Sequence, residues 1–238
     1  MASTVQNQLL YGAQIWAGAL RYEVNVSTLL GPQRQIALRV AMAYRTTVST
    51  QAIMVVAGMI PVHLLAKERQ KLYNHTKEGK EMNKQDHRVN TYKEWQKECD
   101  QAKKGRWTHR LIQDVEKWST RGFGNTDYHL TQMITGHGCF GSYLYKYKKR
   151  LSPECVDCKA VEDSAEHTIF VCDRWWNKRR DLEAKIGGDF EVDSVIKLML
   201  RSRSNWKAVK AFVGEVLRTK EEEERQAQRE VLVEAVNH

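Results

Sequence analysis

The chain has 238 residues, 42% of them hydrophobic and 28% charged, which is enough apolar material for one large domain or two small ones with real cores. No apolar run reaches the roughly 18 residues that span a bilayer, and the first 20 residues lack the basic start and unbroken apolar run of a signal peptide. Composition therefore predicts a folded chain without a membrane partner, inside the cell in the nucleus or the cytoplasm.

The net charge of +9 is unevenly distributed. Residues 1–66 carry net +3, residues 67–150 carry 19 Lys/Arg against 10 Asp/Glu, and residues 151–238 carry net −3. A basic segment of this size points to a polyanion such as RNA or DNA. A solvated helical surface would have the same charge, so composition alone leaves both interpretations open.

Apolar periodicity predicts helices along nearly the whole chain and no convincing strand, so the expected fold class is all-α. The third of these helices has Ser49 as its N-cap and ends at Gly58. The predicted helices are residues 4–22, Pro32 to about Tyr44, 50–57, 62–74, 108–119, 126–147 with a break at 136–138, 173–186, 193–200 and 204–218.

A change of composition at residues 76–106, which are charged and polar, predicts a domain boundary there. We expect a helical bundle at residues 1–75, a charged helical connector at 76–106 and a helical domain at 107–218. The highly charged residues 219–238 are expected to form a tail that frays or extends the last helix.

The sharpest motif is a set of three cysteines and one histidine, separated by two, eight and four residues: Cys155, Cys158, His167 and Cys172. Zinc takes four tetrahedral ligands and accepts thiolate sulfur and imidazole nitrogen, and four protein ligands close the site, which makes the ion structural. The spacing predicts a zinc knuckle at residues 155–172. The alternative is a pair of buried structural cysteines whose spacing is coincidental.

Basic residues flank this segment, although the segment itself is acidic. Between Cys155 and Cys172 only Lys159 is basic, against four acidic residues. We expect zinc to fold the loop and to position the two flanks against phosphates. The predicted nucleic-acid contacts are Lys146, Lys148, Lys149, Arg150, Arg174, Lys178, Arg179 and Arg180. Trp175 and Trp176 are candidates for base stacking or for core packing.

Catalytic motifs are absent from the sequence. It contains no phosphate-binding glycine loop with its lysine, no His-Glu-x-x-His and no Gly-x-Ser-x-Gly. The adjacent aspartates that hold magnesium in polymerases are also missing, so no catalytic residue is predicted.

Many short blocks, taken together and in order, resemble one family: the region beyond the polymerase core in insect-type non-LTR retrotransposon reverse transcriptases. The resemblance covers roughly residues 9–215. Its blocks are residues 10–16 (LYGAQIW), 33–40 (QRQIALRV), 43–46 (AYRT), 48–49, 57–61 (AGMIP), 68–69, 107–108, 111–112, Trp118, 131–132, 135–138 (TGHG), 143–144, 152–153, 166–168, Phe170 and Trp175, with the four ligands.

The full-length proteins of this family resemble RNA-directed DNA polymerases that carry an N-terminal endonuclease. The palm, which holds the catalytic aspartates of the polymerase, has no counterpart in this chain. The resemblance therefore implies a thumb-like bundle, a zinc knuckle and a nucleic-acid-binding C-terminal segment that is not an enzyme on its own. Two alternatives are a truncated or host-adopted fragment that binds proteins, and an accessory part active only with palm and fingers supplied elsewhere. The oligomeric state is not indicated.

Overall fold

The computed structural model describes residues 2–43, 47–79 and 83–236, with side chains from residue 4 to residue 230. Within these ranges the chain is helical and contains no strand, which confirms the all-α prediction. It forms two compact units, Met1–Gly122 and Phe123–His238. The predicted helix end at Tyr44 and part of the predicted connector and tail lie outside the described residues.

In the described part of the first unit, eight α-helices and one 3-10 helix, Ala17–Arg21, surround a core that includes Ile53, Trp95 and Trp118. The Trp118 indole Nε1 donates a hydrogen bond of 3.3 Å to the Val56 carbonyl, which ties the last helix to the fourth. The helices are α1 (Ala2–Leu9), α2 (Ala13–Trp16), α3 (Glu23–Val40), α4 (Thr50–Ala57), α5 (Val62–Lys77), α6 (Lys84–Gln101), α7 (Arg106–Leu111) and α8 (Val115–Ser119).

Three predicted helices of the first unit start or break at other residues in the structure. The helix predicted at 4–22 is interrupted at Gly12, whose φ of 64° is left-handed. The helix predicted to start at Pro32 is α3, which begins at Glu23 and has Pro32 in its interior. A proline in a helix interior removes one hydrogen bond, but it does not end this helix. The helix predicted at 108–119 is divided because the Asp114 carboxylate accepts from the Lys117 amide and starts α8 there.

The junction between α4 and α5 is fixed by a fully buried glutamine. Gln33 donates to the Ile60 carbonyl and accepts from the Val62 amide, each at 2.8 Å. Ser49 caps α4 and Gly58 ends it, as predicted. No single helix in the described ranges is long and apolar enough to cross a membrane, and only α4 with α5, bent by 69°, meet that composition together.

The predicted connector contains α6, which is packed as part of the first unit. Tyr92, Trp95 and Cys99 of α6 are buried, and the helix contacts α5 and α8. Burial of a few aromatic side chains thus outweighs the charged composition of this stretch and places α6 within the first unit, which ends at Gly122.

The second unit is built around its C-terminal helix, which contacts three others. Its helices are α9 (Tyr128–Thr135), α10 (Gly141–Lys146), α11 (Trp176–Ile186), α12 (Val195–Arg201) and α13 (Arg203–Val236). The predicted tail is thus a continuation of α13 as far as Val236. Between α9 and α10, a Cβ on Gly138 would lie 2.0 Å from Gln132 Oε1, so this turn has no room for a side chain.

Candidate metal centre and basic segment

The three cysteines and the histidine of the predicted knuckle come together between α10 and α11. Their ligand atoms all lie within 4.8 Å of one another. The Sγ atoms of Cys155 and Cys172 are 3.8 Å apart, those of Cys158 and Cys172 are 3.9 Å apart, and Cys158 Sγ is 3.2 Å from His167 Nε2. The four residues could therefore hold one metal ion.

Local backbone bonds explain why this spacing brings the ligands together. The Lys159 amide donates to the Cys155 carbonyl and the Cys155 amide to the Ala160 carbonyl, which closes a tight turn around the first two cysteines. A single π-helical turn, His167–Val171, presents the other two, with the Cys172 amide donating to the His167 carbonyl at 2.7 Å. Such turns are rare and frequently occur at functional sites.

The ligand set is protected from water on one side. Burial raises the pKa of the Cys172 thiol to about 12, with the neighbouring thiols of Cys155 and Cys158 adding to the effect. Burial also lowers the pKa of His167 below its usual value, which favours the neutral imidazole that coordinates metals. A bound cation would reverse the preference of the thiols, because it stabilises thiolates directly.

Two arginines fasten the end of the loop, and both were predicted to contact nucleic acid. Arg179 is only 6% exposed and donates to the carbonyls of Cys172 and Val171 at 2.8 and 3.0 Å. Arg174 bridges Asp157 of the loop, at 2.9 Å, and Glu223 of α13, at 2.7 Å. The structure thus places Arg179, one of the predicted nucleic-acid contacts, in the interior against backbone carbonyls.

A buried acid, Asp163, connects the loop to the rest of the second unit. Its carboxylate accepts from the Gly141 amide at 2.9 Å, from the Thr168 hydroxyl at 2.5 Å and from the Lys220 ammonium at 2.6 Å. Its backbone carbonyl accepts from the Ser142 amide at 3.1 Å. Asp163 thereby caps the start of α10 and pairs with α13, so the loop is anchored on both.

Three more of the predicted contacts are paired with carboxylates. Lys178 pairs with Glu215, Arg180 with Glu183 at 2.9 Å, and Arg150 lies 3.7 Å from Asp163. Of the flank after the loop, none of the four predicted cations lacks an intramolecular partner. The sequence did not indicate the pairing of Lys178 and Arg174, because their acidic partners on α13 lie 37 and 49 residues away.

The other flank presents three lysines to solvent. Lys146, Lys148 and Lys149 are exposed, and none has a carboxylate partner within the described part of the chain. Tyr145, Tyr147 and Leu151 alternate with them and are also exposed. We call residues 145–151 the basic segment. This segment, which includes Arg150, contains every Lys and Arg of residues 123–150. The remaining basic residues of 67–150 belong to the first unit.

The tryptophans after the loop have different environments. Trp175 is buried beneath Arg174, whose guanidinium carbon is 4.5 Å from its ring centroid, whereas Trp176 is 52% exposed. Cys99 and Cys139, which do not fit the ligand pattern, are buried, and burial raises the pKa of each thiol to about 12. Both are therefore unreactive at neutral pH.

Comparison with known proteins identifies two curated relatives. The chain is 26% identical over 218 residues to the Retrovirus-related Pol polyprotein from type-1 retrotransposable element R1 2 of Nasonia vitripennis, a match that covers 82% of this chain and 52% of that protein. It is 27% identical over 184 residues to the Retrovirus-related Pol polyprotein from type-1 retrotransposable element R1 of Bradysia coprophila, covering 68% of this chain and 18% of that protein. The predicted resemblance to retrotransposon polyproteins is confirmed.

The chain spans about half the length of the first relative and less than a fifth of the second. No family model matches the chain. No solved structure matches it either.

Proposed function

We propose that this chain is a nucleic-acid-binding segment of a retrotransposon reverse transcriptase, in which one structural zinc ion holds the loop that supports the basic segment. Similarity to Pol polyproteins supports the origin, and the ligand cluster supports the metal. In a tetrahedral site with Zn–S distances of about 2.3 Å, sulfur atoms lie about 3.8 Å apart. The sulfur–sulfur distances of 3.8 and 3.9 Å agree with that geometry.

The observation that carries the binding proposal is the group of three exposed lysines that have no carboxylate partner among the described residues. The charge of a cation that is paired within the protein is already neutralised. An unpaired lysine can instead neutralise a phosphate and release the counterions bound to the nucleic acid. The charge of the basic segment therefore remains available to a polyanion, unlike that of Arg174, Lys178 and Arg180.

The backbone conformation of Lys148 gives independent support for a binding role of the basic segment. The Lys149 amide donates to the Leu144 carbonyl and the Lys148 amide to the Tyr145 carbonyl, a helix ending that places residue 148 in the left-handed region. Glycine is favoured there, yet lysine occupies the position with φ of 56°. A residue kept in a strained conformation points to a role other than stability.

Charge reversal tests the proposed interface. We expect the variant Lys146→Glu, Lys148→Glu, Lys149→Glu to lose at least about tenfold in affinity for RNA and DNA at low salt, and the slope of log affinity against log salt to fall by about 2 to 3. Fluorescence anisotropy at several salt concentrations measures both quantities.

The matched control reverses three exposed cations elsewhere in the second unit, Lys197, Arg201 and Lys207, with the same change of net charge. It is expected to lose much less affinity. An equal loss in both variants would show that net charge alone acts, and absence of binding by the unaltered chain at low salt would refute the proposal.

Relief of strain gives a second, sharper test. We expect Lys148→Gly to stabilise the second unit by about 1 kcal/mol, because glycine adopts positive φ without the Cβ penalty. The same variant should bind nucleic acid more weakly and reduce the salt slope by about 1. Thermal unfolding and anisotropy on one preparation measure the two effects, and a gain in stability without a loss of affinity would exclude Lys148 from the interface.

We further propose that the chain contributes binding rather than catalysis. Polymerases hold two metal ions with clustered carboxylates, and no such motif occurs in this sequence. We expect no nucleotide incorporation on a primed template with Mg²⁺ or Mn²⁺, measured by gel electrophoresis of a labelled primer. Template-dependent extension by homogeneous protein would contradict this expectation.

A further inference from the structure

A column of three aromatic rings leads from the interior of the second unit to the basic segment. The ring centroids of His137 and Tyr143 are 5.0 Å apart, and those of Tyr143 and Tyr147 are 4.7 Å apart. Tyr143 is buried, whereas Tyr147, at the outer end, is 39% exposed. The outermost ring is thus supported from behind and open to solvent in front.

The exposed ring of Tyr147 lies beside positively charged side chains. Lys146 and Lys148 are its direct neighbours in sequence, Lys149 follows, and all three are exposed. An aromatic face beside unpaired cations is the combination that binds single-stranded nucleic acid, because a base stacks on the ring while lysines contact the adjacent phosphates. A duplex hides its base faces within its own stack, so only an unpaired base can use such a platform.

We propose that Tyr147 is a stacking platform for an unpaired nucleobase, and that the chain prefers single-stranded over double-stranded nucleic acid. This inference rests on the proposed function, since it assigns the ligand class of the same surface. From sequence, Trp175 and Trp176 were the candidates for base stacking or core packing. Tyr147 was missed because the ring column joins the turn after α9, the helix α10 and the residue that follows α10.

The test uses the full chain with single-stranded RNA and DNA 12-mers of one sequence, their duplexes, and a 12-mer whose sugar–phosphate backbone carries no bases. We expect the unaltered chain to bind the strands with bases about tenfold more tightly than the abasic strand. Tyr147→Leu, which keeps apolar bulk over Tyr143, should abolish that ratio, whereas Tyr147→Phe should retain it. Comparison of the RNA and DNA arms identifies which strand is favoured.

Tyr73→Leu, an exposed tyrosine of the first unit, serves as the control and should leave the ratio unchanged. The inference is overturned if Tyr147→Leu keeps the ratio of the unaltered chain, if Tyr73→Leu reduces it equally, or if duplexes bind as tightly as single strands. These results differ from the failure of the proposed function, in which the unaltered chain would bind no nucleic acid at low salt.

Discussion

Cys158→Ser is expected to release the metal from the second unit and to unfold the chain between about residues 150 and 186. The loop contains no regular secondary structure besides the tight turn after Cys155 and the π-helical turn that starts at His167, so the four ligands order its interior. Asp163 and Arg179 tie it to the rest of the second unit. Apparent binding free energies of structural zinc reach about 10 to 16 kcal/mol, and in small sites this free energy is the folding free energy of the loop.

Metal content by elemental mass spectrometry should fall from about one zinc per chain to none. Hydrogen exchange should become fast at residues 150–186 while α4 and α5 of the first unit keep their protection. Cys139→Ser is the matched control, because Cys139 is also buried in the second unit, lies outside the ligand set and has a thiol that donates to the Lys220 carbonyl. A purified chain that contains no metal and does not respond to strong chelators would disprove the zinc assignment.

The ligand cluster was predictable from sequence because its determinants are local. Cys155 and Cys158 share one turn, and His167 and Cys172 share another, so spacing alone indicates which side chains can meet. Helix ends at Ser49, Gly58 and Gly187 were predictable for the same reason, since capping depends on one or two residues.

Features that depend on distant residues were not predictable. The charged stretch around α6 gave no sign that Trp95 would be fully buried, because one aromatic side chain can outweigh many exposed polar ones. The flank after the loop looked like a phosphate-binding surface until α13 supplied Glu215 and Glu223 as partners. Residues 219–238 were expected to form a charged tail that frays or extends the last helix, and the composition gave no sign that Lys220 would lie in the interior of the second unit.

The pairing of Asp163 with Lys220 is the clearest example, since 57 residues separate the two and each was interpreted differently from sequence. Asp163 was counted among the acids that make the loop unfavourable for phosphate. In the structure its charge is neutralised by Lys220, and it fixes the start of α10, the helix that leads into the basic segment. The loop therefore supports that segment through Asp163.

We expect Asp163→Asn to destabilise the second unit by about 3 to 5 kcal/mol. The substitution keeps the shape of the side chain but leaves the Lys220 ammonium, which is 9% exposed, buried without its carboxylate. Lys220→Met combined with Asp163→Asn should restore much of this loss, because the double variant contains no unpaired buried charge and the Met side chain fills a similar volume. Urea unfolding of the zinc-loaded full chain measures the free energies of unfolding of the unaltered chain and of both variants.

Arg180→Gln provides the comparison with an exposed pair in the same unit. Arg180 is 59% exposed and pairs with Glu183 within α11, so its loss should cost less than about 1 kcal/mol. If Asp163→Asn costs no more than Arg180→Gln, or if the double variant is less stable than Asp163→Asn alone, the buried pair does not anchor the loop. If the anchor holds, zinc-loaded Asp163→Asn should also exchange amide hydrogens faster at residues 141–151 than the unaltered chain, since the Gly141 amide and Arg150 then lose the charge that holds them.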